Sequence, residues 1–331
     1  MDPQARNSRP GIRPHSVAFM DFGTNSVRLL VVRFEPKDAY TVLHRLKKAV
    51  RLGEGEFSER QLNAAAMQRA VAAARHFAEV ARAAAAKEIV AVATAATREA
   101  LNRDVFLEMV RRETGLDVCV ISGREEARLI YLGVTSGIDL GDQQALSIDI
   151  GGGSTETSIG TRQEALYLNS LKLGAIRLSD QFLRDETGPV GRSLYDRIKA
   201  HVRHEASRTV RELGDFNIDA AIGSSGTIKA LADVCVRAAT GRSRRNKDVL
   251  KYEDLVEGVK MLCSLSLEKR RDLKGLNPAR ADIIIGGAAI VDALMEDLGI
   301  RELQISDRGL RDGLLTDYLA RHGQSIATSS T

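Results

Sequence analysis

The chain has no tryptophan, and aromatic residues make up only 4% of its 331 positions. Single-stranded nucleic acid is held by stacking bases on exposed aromatic faces, so no nucleic-acid partner is expected. Cysteine is scarce as well: Cys119, Cys235 and Cys263 are far apart and odd in number. That pattern supports neither a disulfide framework nor a zinc site, and it suits a reducing, cytoplasmic compartment. No run approaches the ~18 consecutive apolar residues of a membrane span, so no membrane partner is expected. Residues 1–15 lack the apolar stretch of a signal peptide. They read as a polar, disordered arm, and 323–331 as a disordered tail. Neither sign of charge is in excess: 48 basic against 44 acidic side chains leave a net +4. An anionic partner is permitted without being required.

What the chain does have is one phrase written twice. Residues 21–26 read DFGTNS and residues 149–154 read DIGGGS, each between two runs of β-forming residues. The common reading is strand, tight turn opening Asp-x-Gly, strand. Glycine in such a turn lets successive backbone N–H groups converge on one point and make a nest for an anion. The aspartate at the strand end supplies a charge that can hold a metal ion beside that anion. Two such turns facing each other would grip a phosphate from both sides. Asp149 and Glu156 flank the second turn seven positions apart, which returns both carboxylates to one end of the hairpin. Hard oxygen ligands there suit Mg²⁺, which keeps several waters and bridges substrate phosphates.

Strand and helix patterns alternate along the rest of the chain, which indicates an α/β fold, and the length fits two domains. Tyr40 to Arg51 reads as further sheet and 53–57 as a loop. Residues 61–86 read as an alanine-rich helix with Met67, Val71, Ala74, Ala78 and Ala81 on one face. Asn102 is placed as the N-cap of a helix ending at Gly115, and Ser122 opens a helix towards Gly133. Strands are expected at 88–93, 116–121, 166–171 and 303–305, and helices near 175–184, 194–213 and 310–321. Ala220 to Thr227 reads as strand and glycine turn. Asn277-Pro278 reads as the start of a helix through Leu298.

The two turns and several other phrases resemble the exopolyphosphatase/guanosine pentaphosphatase (Ppx/GppA) family of the actin/hexokinase (ribonuclease H-like, ASKHA) superfold. The phrases are MDFGTNSVRLLVV at 20–32, ATAATREA at 93–100, ISGREEARLIYLGV at 121–134 and SIDIGGGSTE at 147–156. Shorter ones occur at 171–182, 221–227 and 305–315, in family order. The resemblance implies two duplicated actin-like domains around a cleft, residues 16–124 plus 305–322 forming the first and 125–304 the second. It implies a Mg²⁺-dependent phosphohydrolase removing the terminal phosphate of inorganic polyphosphate or the 5′ γ-phosphate of guanosine pentaphosphate. Glu126 then stands where the family has its general base, and Arg98 where it has a phosphate-clamping arginine. Gly23, Thr24, Asn25, Ser26, Gly151, Gly152, Gly153 and Ser154 would cradle phosphate, with Asp149, Glu156 and Asp21 as metal ligands. A homodimer is expected from the prevalence of two-fold symmetry among soluble enzymes.

Other readings stay open at this level. Glu125-Glu126 alone would be helix-start charge. An ATP-using kinase of the same superfold would need an adenosine pocket near Gly223 to Gly226 and Gly286-Gly287, although the latter pair also suits close helix packing. A sensor that binds alarmone or polyphosphate without turnover is a further alternative. His201 and His204 read as a solvated helix face. The basic residues Arg237, Arg242, Arg244, Arg245, Lys247 and Lys251 form either a solvated loop or a substrate-tracking patch. The larger family members carry a C-terminal helical domain with a His-Asp signature; no such pair is present, so the short branch is expected.

Overall fold

The computed structural model describes residues 15–35, 39–245 and 248–321. The expected arm, the tail and Lys247 lie outside the described residues, apart from His15 at the start of the first strand.

Two mixed sheets are built to one plan. The first contains β1 (His15–Phe22), β2 (Ser26–Phe34), β3 (Tyr40–Ala49), β4 (Ala86–Ala93) and β5 (Val118–Val120), in the order β3-β2-β1-β4-β5. Here β1, β2 and β3 form an antiparallel meander, and β4 and β5 add in parallel. The second repeats that pattern with β6 (Ala145–Ile150), β7 (Thr155–Gly160), β8 (Ala165–Leu171), β9 (Ala220–Ser224) and β11 (Glu302–Ile305). A short antiparallel edge strand, β10 (Val249–Lys251), completes the order β10-β11-β9-β6-β7-β8. This is the duplicated α/β architecture expected from the repeated phrase.

Helices cover the sheets. Between β3 and β5 lie α1 (Glu56–Glu59), α2 (Ala64–Ala83), α3 (Ala95–Glu99) and α4 (Arg103–Thr114). Small side chains let α2 lie close to the first sheet: Ala66, Ala70, Ala74, Ala78 and Ala81 are all buried with Met67 and Phe77. The second half carries α6 (Ala175–Phe182), α7 (Arg192–Leu213), α8 (Ser225–Thr240), α9 (Tyr252–Ser264), α10 (Leu267–Arg271) and α11 (Ile284–Asp297). Their apolar faces close a core around β6 and β9.

Two further helices, α5 (Gly123–Thr135) and α12 (Leu310–Arg321), form the layer between the halves. Leu129, Ile130, Val134, Leu314 and Leu319 pack with Phe19 and Val32 of the first sheet and with Ala145 and Ile222 of the second. The two helices cross so closely that a methyl group at Gly313 would lie 2.5 Å from the carbonyl carbon of Leu129. Only glycine allows that approach.

Some sequence expectations change in detail. Asn102 sits at the N-cap position of α4, but its side chain accepts from Leu62 N (2.8 Å) and donates to Leu62 O (3.0 Å) instead of capping. Asn277 does cap, accepting from Ala279 N at 2.9 Å, yet it opens a 3₁₀ turn (Pro278–Arg280) and not a continuous helix. The chain unwinds where Arg280 turns towards Thr227 and Asp282 towards Arg51, before α11 begins. The loop expected at 53–57 runs into α1.

Candidate active site

The two Asp-x-Gly turns are closed by the same bond: Gly23 N donates to Ser26 O (3.1 Å) and Gly151 N to Ser154 O (2.9 Å). They face each other across the cleft. A methyl group at Gly152 would lie 2.9 Å from Cγ2 of Thr24, so the turns are in contact distance. Among the described residues, the amides of Thr24, Asn25, Gly152 and Gly153 have no protein acceptor. Unpaired amides of this kind at a cavity wall are what an anion nest requires.

Carboxylates lie beneath the turns. Asp21 is opposite Arg28 on the β1–β2 hairpin, and Asp149 is directly opposite Glu156 on β6–β7, so each pair shares one sheet face. Glu126 comes from the first turn of α5, whose start is fixed by Ser122 Oγ accepting from Glu125 N (3.1 Å). Asp21, Glu126 and Glu156 are buried, and Asp149 is partly exposed. Arg98 Nη1 donates to Glu126 Oε2 at 2.9 Å and to Ile121 O at 3.1 Å. Glu125 turns the other way into a two-bond pair with Arg128 (2.8 and 2.7 Å), which leaves Glu126 alone towards the cleft. Ser170 donates to Glu156 Oε1 at 2.8 Å, and Ser224 donates to Asp149. Asp21 Oδ1 has no hydrogen-bond partner.

Burial raises the proton affinity of every member of this group. Glu126 is pushed up to about 7 by burial, opposed by Arg98 and reinforced by the charges of Asp21 and Asp149. Glu156 is raised by burial and then by Glu126 and Asp149. Asp149 is raised by burial against the Ser224 hydrogen bond, and Asp21 by burial against Arg28 and Arg311. Carboxylates gathered this way, one with a bare oxygen, have the donor chemistry for a divalent cation. Among the described residues no three acidic, His or Cys side chains form a ready metal cage. An ion would therefore take one or two carboxylates and complete its shell with water and substrate oxygens, as Mg²⁺ does.

The cavity encloses about 170 Å³. Asp21, Glu126, Asp149 and residues of both turns line it, whereas Arg98, Gly153 and Glu156 are not part of its lining. Its far side is cationic, with Arg28, Lys47, Lys229, Arg280 and Arg311. Arg280 is buried with one long contact to Thr227 Oγ1 (3.5 Å), and Arg311 donates to Leu29 O (2.9 Å). Burial and the charges of Arg280, Arg28, Lys229 and Arg311 push Lys47 down to about 7. Sequence reading assigned these cations no role. The available signal was the pairing of Arg28 with Lys47 on neighbouring strands, a like-charge pair that is unfavourable unless an anion lies between.

The remaining candidates resolve simply. A methyl group on Gly286 would lie 3.0 Å from Ala175 O, and one on Gly287 would collide with Thr227, so the pair serves helix packing. His201 packs on Phe182 with ring centroids 5.3 Å apart. In the basic loop, Arg242 pairs with Asp248 (2.6 Å) and Arg244 with Asp233 (2.7 Å), so the fold neutralises part of the patch. The described cysteines are free, and no described helix is long and apolar enough to cross a membrane.

Residues 30–322 match the model of the Ppx/GppA phosphatase family. The chain is 32% identical over 320 residues to Exopolyphosphatase 1 of Mycobacterium leprae, covering 94% of this chain and 92% of that one. It is 33% identical over 314 residues to the guanosine-5'-triphosphate,3'-diphosphate pyrophosphatase of Aeromonas hydrophila, covering 95% of this chain but 61% of that longer relative. The crystal structure of an exopolyphosphatase from Cytophaga hutchinsonii superposes with a TM-score of 0.85 at 25% identity, covering 95% of this chain and 100% of that one. The Aquifex aeolicus PPX-GPPA enzyme gives 0.75 at 26% identity, with 92% and 100% coverage.

Proposed function

The chain belongs to the Ppx/GppA phosphatase family, and from that premise we propose that it releases the terminal phosphate of inorganic polyphosphate or the 5′ γ-phosphate of guanosine pentaphosphate, with Mg²⁺ as cofactor. It is a hydrolase of phosphoanhydride bonds. The observation that carries the proposal is the facing of two amide-lined turns over a buried carboxylate base, opposite a cationic wall.

The terminal phosphate seats between the turns, where the amides of Thr24, Asn25 and Gly152 receive its oxygens. The rest of the polyanion lies towards Arg28, Lys47, Lys229 and Arg280, of which Arg28 faces Asp21 at 3.8 Å and Lys229 faces Asp307 at 3.2 Å. Glu126 orients a water in line with the bridging oxygen and takes its proton as the new P–O bond forms. A base with an affinity near neutral pH is well matched to that task. The old bridging bond breaks with its electron pair left on the shortened chain, and the cation wall stabilises that charge. Arg98 holds Glu126 in position from behind. Asp21, Asp149 and Glu156 would hold Mg²⁺, directly or through water, which when bound supplies charge neutralisation for the phosphate oxygens. A homodimer and a cytoplasmic location complete the reading.

Phosphate release from both substrates, with and without Mg²⁺, tests it. Metal-dependent release from either supports the proposal, and the faster substrate names the preference. Silence on both, with tight binding of either, would instead mark a sensor.

A further inference from the structure

Each phosphate turn is held from behind through its carbonyl groups. In the second turn Ala175 N donates to Gly151 O (3.0 Å), and Ile176 N (2.9 Å) and Arg177 N (3.1 Å) donate to Gly152 O. Arg177 Nε then donates to Gly153 O at 2.8 Å. A trans peptide plane sets its N–H opposite its C=O. Gripping three successive carbonyls therefore turns the amides of Gly152, Gly153 and Ser154 the other way, towards the opposing turn. The first turn is treated alike: Gly53 N donates to Thr24 O (2.9 Å), and Val50 N (3.0 Å) and Arg51 N (3.1 Å) donate to Asn25 O.

Both gripping segments carry an arginine that crosses to the other half. Arg51, just beyond β3, reaches Asp282 with two bonds (2.6 and 2.9 Å) and Ala279 O (2.9 Å). Arg177, opening α6, reaches Glu99 at 2.8 Å and lies 3.9 Å over the ring of Phe57. Arg51 also has a φ of +50°, a left-handed conformation in which glycine is the ordinary choice.

We infer that Arg51 and Arg177 are reciprocal positioning residues, each tying the segment behind one phosphate turn to the opposite half, so that closing the cleft orients both sets of amides together. The inference rests on the phosphohydrolase reading above. It assigns the two arginines no contact with substrate. Their effect passes through the turns.

The test uses the full chain with R51G and R177K, measuring melting temperature and then kcat and KM for phosphate release from polyphosphate. Replacing Arg51 with glycine removes the bridge while easing the backbone, so folding is preserved or improved. The expected result is an unchanged or higher melting temperature with kcat/KM lowered at least about ten-fold, a size in line with sub-ångström misplacement of reacting groups. R51G combined with D282N should be no worse than R51G alone. Wild-type kcat/KM in both R51G and R177K, or full additivity of R51G with D282N, would overturn the inference while leaving the phosphohydrolase reading intact. A wild type that hydrolyses neither polyphosphate nor guanosine pentaphosphate would overturn that reading and this inference with it.

Discussion

Replacing Gly313 with alanine should damage stability and turnover together, because α12 crosses α5 with no room for a side chain. A methyl group there would collide with the Leu129 carbonyl oxygen and lie 2.5 Å from its carbonyl carbon, against ordinary contact from 3.4 Å, a shortfall of at least 0.9 Å (3.4 minus 2.5). The obstacle is backbone, which cannot swing aside as a flexible side chain does, so the two helices must part by about an ångström. Overpacking of this kind costs ~3 kcal/mol, a large share of the 5–15 kcal/mol that keeps a domain folded. The same displacement moves the base, since Glu126 lies one turn before Leu129 on α5. A shift of about 1 Å at reacting groups can lower turnover by ~100-fold. Urea titration measures the first effect, and phosphate release from the fraction still folded measures the second. A G313A protein within about 0.5 kcal/mol of wild type would refute the reasoning, as it would show that the crossing tolerates a side chain.

Three further outcomes are expected. Chelation of divalent cations should abolish phosphate release, and Mg²⁺ should restore it; full activity in chelator would remove Asp21, Asp149 and Glu156 as ligands. Polyphosphate binding should take up protons near pH 7.5, because burial and the neighbouring cations hold Lys47 near 7 and a bound polyanion lifts it towards its ordinary range. Titration calorimetry in buffers of different ionisation enthalpy reads that uptake, and identical heats across buffers would contradict it. Finally, Gly152→Ala should lower turnover at least about ten-fold by wedging the two turns apart against Thr24 and Ile176, both about 3 Å from the added carbon; unchanged kinetics would show that the turns need not meet.

The turns, their flanking strands and the alanine face of α2 were legible in the sequence because local rules govern them. Asp-x-Gly between β-forming runs specifies a hairpin, and one residue pair on that hairpin, Asp149 with Glu156, is then set by register. Resemblance, not pattern, singled out Glu126 and Arg98. The structure joins them in one ion pair, with Arg98 Nη1 2.9 Å from Glu126 Oε2. Beyond the facing of Arg28 and Lys47, the cation wall was not legible, since β2, β3, α8, the 280 turn and α12 each contribute one member and none is unusual locally. Residues 249–271 also resisted reading: β10 has three residues and exists only through pairing with β11. The 3₁₀ break after Pro278 has a similar origin, its residues being drawn towards distant partners, Thr227 and Arg51.

The central claim is that Glu126 activates the attacking water in a site otherwise built to bind phosphate. Its most direct test compares wild type with Glu126→Gln in Mg²⁺, measuring phosphate release from polyphosphate and guanosine pentaphosphate beside binding of the same ligands. The account predicts loss of turnover by at least about a hundred-fold with affinity kept, the range expected for removing a general base. Turnover near wild type in the glutamine variant would contradict it.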